Sequence, residues 1–93
     1  MIQYKYKAYA FDEKAIAKSI DSCIFYFLDN GIHSESEAKI TSIGEHHYDF
    51  TGLFITDKPL SLNNVKVIEE IFEDNNASIE IETFDKINNH TIQ

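Results

Sequence analysis

The stretch Ile2-Gln3-Tyr4-Lys5-Tyr6-Lys7-Ala8-Tyr9-Ala10-Phe11 decides the fold. Read with period two, Ile2, Tyr4, Tyr6, Ala8 and Ala10 share one side and Gln3, Lys5, Lys7 and Tyr9 the other, the pattern of a strand with one buried face. The two alanines at its far end leave room for a helix to pass close above. The next segment is a strongly apolar helix pattern in need of such a floor.

In that segment Asp12 is placed to cap a helix N-terminus, and Ile16, Ile20, Cys23, Ile24 and Phe27 recur on one face at three- and four-residue spacing. The helix is expected from about Glu13 to Asn30. Asn30-Gly31 offers a left-handed cap, and Ile32 follows where a Schellman motif sets its apolar contact. Phe25 and Tyr26 fall off the apolar face, so each is read either as packing against a second helix or under a loop, or as a contact for a partner.

Residues 33–37 are polar and read as a loop. A hairpin follows, with Ala38 to Ile43 and His47 to Asp57 as its strands and Gly44-Glu45-His46 as a three-residue loop. That loop length aligns Ala38, Ile40 and Ser42 on one strand with Tyr48, Phe50 and Gly52 on the other. Leu53, Phe54 and Ile55 put large apolar groups on both faces of the second strand, which makes it central. Pro59 ends the ladder, and Val65, Ile68, Ile71 and Phe72 then form a helical stripe between Ser61 and Asp74. Asn75-Asn76 closes that helix, and Ala77 to Phe84 reads as a last strand, followed by a polar tail from Asp85.

The order is β, α, β, β, α, β, the split βαβ arrangement of ferredoxin-like domains. Right-handed crossovers place both helices on one face of a four-stranded antiparallel sheet, with the first strand and the strand of Leu53 to Ile55 in the middle. An α+β fold of this kind hosts many unrelated activities, so function has to be read from sites.

A chain of 93 residues is expected to form a single domain, because it is too short to divide into two cores. With 43% hydrophobic residues and one proline it can fill that core and does not have the composition of a disordered chain. Cys23 is the only cysteine, which excludes an intramolecular disulfide and a cysteine-based zinc cluster. The alternation of lysine and tyrosine at the N-terminus is unlike a signal peptide, and no apolar run approaches the ~20 residues of a membrane span, so a cytoplasmic location is expected. The net charge of -8 disfavours nucleic acid as a direct partner and favours a basic protein. All eight cations are lysine. The bidentate forks that grip phosphate are therefore missing.

Catalysis has little support, for the sequence holds no GxSxG, HExxH, phosphate loop or CxxC, and Cys23 sits on the apolar helix face. Acylphosphatases share the topology but rely on an arginine in a glycine-rich loop. RNA-recognition domains share it too, yet His47-Tyr48-Asp49-Phe50-Thr51-Gly52 carries a carboxylate where their phosphate backbone would pass. The expectation is a protein that is not an enzyme and uses no cofactor. His47 and Asp49 share a face and would supply only two ligands, so no metal is expected.

The most informative anomaly is the acidic run Glu69, Glu70, Glu73, Asp74, Glu80, Glu82 and Asp85. Four of these crowd the end of the second helix, where the macrodipole is negative and each carboxylate costs on the order of 0.3 to 1 kcal/mol. With Tyr9 or Phe25 as an anchor, Glu69, Glu70, Glu73, Asp74, Glu80 and Glu82 read as the contacts of an immunity-type inhibitor that occludes the basic cleft of a toxin or nuclease. The same run also suits a solvated face, or an anti-restriction or anti-CRISPR mimic of nucleic acid. The open face of the sheet, with Lys5, Lys7, Tyr9, His47, Asp49, Thr51, Leu53, Ile55, Glu80 and Glu82, supports the remaining alternatives: a small-ligand module or a homodimer.

Overall fold

Six elements follow one another in a computed structural model that describes residues 1–45 and 47–82. They are β1 (Ile2–Ala10), α1 (Glu13–Asp29), β2 (Ser34–Ile43), β3 (Tyr48–Thr56), α2 (Leu62–Asp74) and β4 (Ala77–Ile81). The strands pair antiparallel in the order β2-β3-β1-β4, so β1 and β3 are central, and both helices cover one face. This is the expected βαββαβ, ferredoxin-like arrangement.

β1 alternates as its sequence requires: Tyr4, Tyr6, Ala8 and Ala10 are buried beneath the helices, while Gln3, Lys5, Lys7 and Tyr9 face away from them. From α1, Ile16, Ser19, Cys23 and Phe27 enter the core, and from α2, Ile68 and Phe72. Phe54 on β3 joins the layers, its ring 4.8 Å from that of Tyr6 and edge-on to Phe27 at 5.6 Å. Each such fully buried aromatic contributes roughly 1.5 to 3 kcal/mol of transfer free energy. Ser19 is tolerated in this layer because its hydroxyl donates to the Ala15 carbonyl at 2.7 Å.

The helix ends are written locally. Asp12 accepts from the Lys14 N–H at 2.9 Å, and Ser61 with Asn64 closes a reciprocal capping box on α2. At the end of α1, Gly31 has φ +72° and donates to the Leu28 carbonyl, and the Ile32 N–H reaches the Phe27 carbonyl at 2.8 Å. That is the Schellman geometry expected from Asn30-Gly31-Ile32. The Lys58 ammonium also donates to the Gly31 carbonyl at 2.8 Å, bringing positive charge to the negative end of α1. Asn76, at φ +59°, ends α2 in the left-handed conformation that asparagine tolerates.

Two buried tyrosines carry polar tips that must find partners. Tyr4 accepts from the Leu60 N–H at 2.9 Å, which ties the β3–α2 connection to the central strand. The Tyr6 ring lies across Gly52 so that its hydroxyl reaches Ser36 Oγ at 3.2 Å. A Cβ at Gly52 would stand 2.5 Å from that hydroxyl oxygen and collide with the Glu37 carbonyl, so this strand position requires glycine. Burial raises the Tyr6 hydroxyl above its ordinary value, with the Ser36 hydrogen bond working in the opposite sense.

Three expectations are corrected. Residues 34–37 are not loop: β2 begins at Ser34, where Ser34 and Ser36 pair with Thr56 and Phe54 while Glu35 and Glu37 turn outward. An edge strand with polar and charged residues is a common defence against unwanted pairing, and its composition alone resembles a loop. Ser42 does not share a face with Ile40, because a bulge lies between them. Below the bulge Ile40 pairs with Phe50 and Ala38 with Gly52, the faces expected; above it Ser42 pairs with Asp49 and Ile43 with Tyr48. β1 stops at Ala10, which leaves Phe11 outside the ladder. The expected extension of β4 through Phe84, the polar tail, Asp85 and His46 lie outside the described residues.

Candidate functional site

On the side of the sheet away from the helices, β1 and β3 set Lys7 beside Thr51 and Tyr9 beside Asp49, while β4 adds Ser78 beside Tyr9 and Glu80 beside Lys7. Lys7, Tyr9, Thr41, Asp49, Ser78 and Glu80 line a depression of about 520 Å³. Period two accounts for the outward side chains of β1, β3 and β4 in this lining, while Ala8, Phe50 and Ile79 lie between them and Thr41 comes from the bulge in β2.

Charge in the depression is predominantly negative. The Lys7 ammonium lies 3.1 Å from the Glu82 carboxylate. Glu82 holds the Lys7 ammonium above its usual range by hydrogen bond and charge, and Glu80 adds to the effect. Asp49 differs. Its backbone carbonyl accepts from the Thr41 hydroxyl at 3.2 Å, while its carboxylate has no cation paired with it among the described residues. Beside it, the Tyr9 ring stacks on the His47 imidazole at 5.2 Å and meets Phe11 edge-on at 5.5 Å. Phe11 was missed as a neighbour of Tyr9, because it lies just past the end of β1, where alternation no longer fixes which way a side chain points.

The acidic run is divided. Glu69, Glu70, Glu73 and Asp74 are exposed on α2, above the covered face of the sheet, whereas Glu80 and Glu82 belong with the opposite face. Sequence proximity joined them. The change from helix to strand separates them, because α2 turns its apolar stripe down and its carboxylates up, while β4 turns Ala77 and Ile81 toward the helices and Ser78 and Glu80 away. Tyr9 lies on the open face with Glu80 and Glu82, and Phe25 is 70% exposed on α1. Its neighbour Tyr26 is pinned to α2, accepting from the Asn64 side-chain amide at 2.8 Å. Lys14 and Lys18 of α1 line a groove that also holds Asp12 and, at the end of α2, Asp74.

Cys23 is buried in the core, and burial pushes its thiol up to about 12, which keeps it protonated and unreactive at neutral pH. Among the described residues no three of His, Cys, Asp and Glu stand together as a metal site. No helix among them is long and apolar enough to cross a membrane.

Neither a family model nor a curated protein matches the sequence. A solved structure does share its shape: an ACT domain protein from Streptococcus pneumoniae superposes with a TM-score of 0.60 over 85% of each chain, at 10% sequence identity. At that identity the likeness concerns the path of the backbone, and it places this chain in the ACT-like, ferredoxin-like class of βαββαβ folds.

Proposed function

We propose that the protein is a small-ligand-binding regulatory module, with the depression on the open sheet face as its binding site. The observation that carries this reading is the convergence of Tyr9, Asp49, Thr41, Ser78 and Glu80 on one concave surface that no helix covers. Concave surfaces with a few convergent polar groups beside aromatic area are where small molecules bind. The ACT-like backbone is compatible with the same assignment, since it leaves this face of the sheet free of helices. Neither argument requires catalysis.

A metabolite panel screened by thermal shift and mapped by amide chemical shifts tests it. A ligand that raises Tm and moves the amides of Tyr9, Asp49 and Ser78 in a saturable way is the expected result. Ligands that perturb only the helices, or a panel with no saturable response on the sheet, overturn it.

A second reading keeps one supporting observation. Glu69, Glu70, Glu73 and Asp74 are all exposed and the last turn of α2 contains no lysine, so an inhibitor of a basic toxin or nuclease remains the reading for that helix face. It is the weaker of the two, because Glu80, Glu82 and Tyr9 cannot join the same flat contact. Capture of a basic protein by wild-type bait, and its loss when the four α2 carboxylates become glutamine, is the outcome it requires.

A further inference from the structure

The depression has a chemical preference that the fold likeness does not supply. Tyr9 and Asp49 are directly opposed across β1 and β3, so their side chains leave the open face from adjacent positions, with Cβ atoms about 4.5–5.5 Å apart as in any opposed antiparallel pair, and the His47 imidazole covers one face of the Tyr9 ring, leaving the other to a ligand. An aromatic face attracts a cation within about 6 Å of its centroid, and a neighbouring carboxylate supplies the hydrogen-bond acceptor that an ammonium needs. Glu80 stands on the far wall, and the one lining cation among the described residues, Lys7, is paired with Glu82. The surface therefore offers negative charge and a ring to an incoming molecule.

We infer that the depression takes a small organic cation, an amine whose ammonium sits at the Asp49 carboxylate and whose apolar body lies against Tyr9. The inference rests on the small-ligand reading and adds the class of ligand to it. An anion is disfavoured, because it would approach Asp49 and Glu80 while the lining lysine is already engaged by Glu82. A neutral analogue of the same shape would leave Asp49 without its counter-charge. The net charge of -8 draws cations toward the protein as a whole, so the local contribution has to be measured against a control elsewhere on the surface.

The experiment uses three probes of one shape: phenethylamine, 2-phenylethanol and phenylacetate, each titrated to about 10 mM against the full chain at fixed ionic strength and followed by amide chemical shifts. Phenethylamine is expected to give saturable shifts at Lys7, Tyr9, Asp49 and Ser78, and the other two are expected to bind at least about tenfold more weakly. Asp49→Asn is expected to weaken phenethylamine binding about tenfold with its amide spectrum otherwise unchanged. Glu70→Gln, a change of equal charge on α2, is expected to leave binding as it was. Equal binding of alcohol and amine at these residues overturns the cation inference while the small-ligand reading stands. Failure of all three probes to bind also overturns it, and the metabolite panel then decides the broader reading alone. An equal loss in Asp49→Asn and Glu70→Gln shows attraction by net charge only and overturns it as well.

Discussion

Tyr4 and Tyr6, 2% and 1% exposed on the helix side of β1, are one residue away from Lys5 and Lys7 on the other side of the same strand. The helix side is governed by shape. Its rings meet at 4.8 and 5.6 Å, its tyrosine hydroxyls have hydrogen-bond partners, and at Gly52 even a methyl group is excluded. The open side is governed by charge and access: a ring stacked on an imidazole, an ion pair and a carboxylate with no cation paired to it among the described residues, around a depression. Stability should therefore be sensitive to substitution on one side and binding on the other, with one strand serving both.

The sharpest way to break that contrast is Phe54→Ala beside Leu53→Ala. Truncating the fully buried Phe54 is expected to cost about 3–5 kcal/mol in urea unfolding, and truncating its half-exposed neighbour less than about 2 kcal/mol. Equal losses would mean that the open face is itself a packed interface. Next in size, Gly52→Ala is expected to cost about 1–3 kcal/mol, because the Tyr6 hydroxyl and the Glu37 carbonyl occupy the space a Cβ needs. Tyr6→Phe in the same chain should recover part of that loss, as a double-mutant cycle would read.

A third test uses pH. The native Cys23 thiol is held up to about 12 against 9.0 for the unperturbed group. A raised native value contributes its full stability below the unfolded pKa and loses it as pH rises toward the native one, because the unfolded chain gives up its proton first. Between about pH 9 and pH 10 wild-type stability should fall by about 1 kcal/mol from this group, and the slope should flatten in Cys23→Ala. Tyr6, raised in the same sense, adds to the slope only toward the top of that window, and its share persists in Cys23→Ala. The smallest effect is expected on the open face: Lys7→Gln should leave the urea midpoint within experimental scatter, since exposed ion pairs add little and are screened by salt. A clear loss there would show that Glu82 and Lys7 anchor the end of the sheet.

Most of this architecture was legible wherever a local rule and a tertiary role coincide. The alternation of β1, the Asp12 cap and the Asn30-Gly31-Ile32 terminus are each decided by a few adjacent residues. The start of β2 was not, because Ser34 to Glu37 become strand only through Thr56, Ile55, Phe54 and Leu53 on the neighbouring strand. The candidate site was half legible. Period two brought Lys7, Tyr9, Asp49 and Glu80 to one face, but the carboxylates of α2 were grouped with those of β4 by sequence distance, which carries no information about which side of a sheet a residue faces.

The bulge at the β2–β3 hairpin has a consequence for how such a chain can change over generations. In an unbroken ladder, one residue added or lost at the tip would turn every later side chain of the strand to the wrong face. Here the break between Ile40 and Ser42 confines the altered parity to the outermost pairs, Ser42 with Asp49 and Ile43 with Tyr48. The tip can thus be lengthened, shortened or exchanged as a separate unit, and new recognition can be tried at the rim of the depression while the inherited core beneath it stays in register.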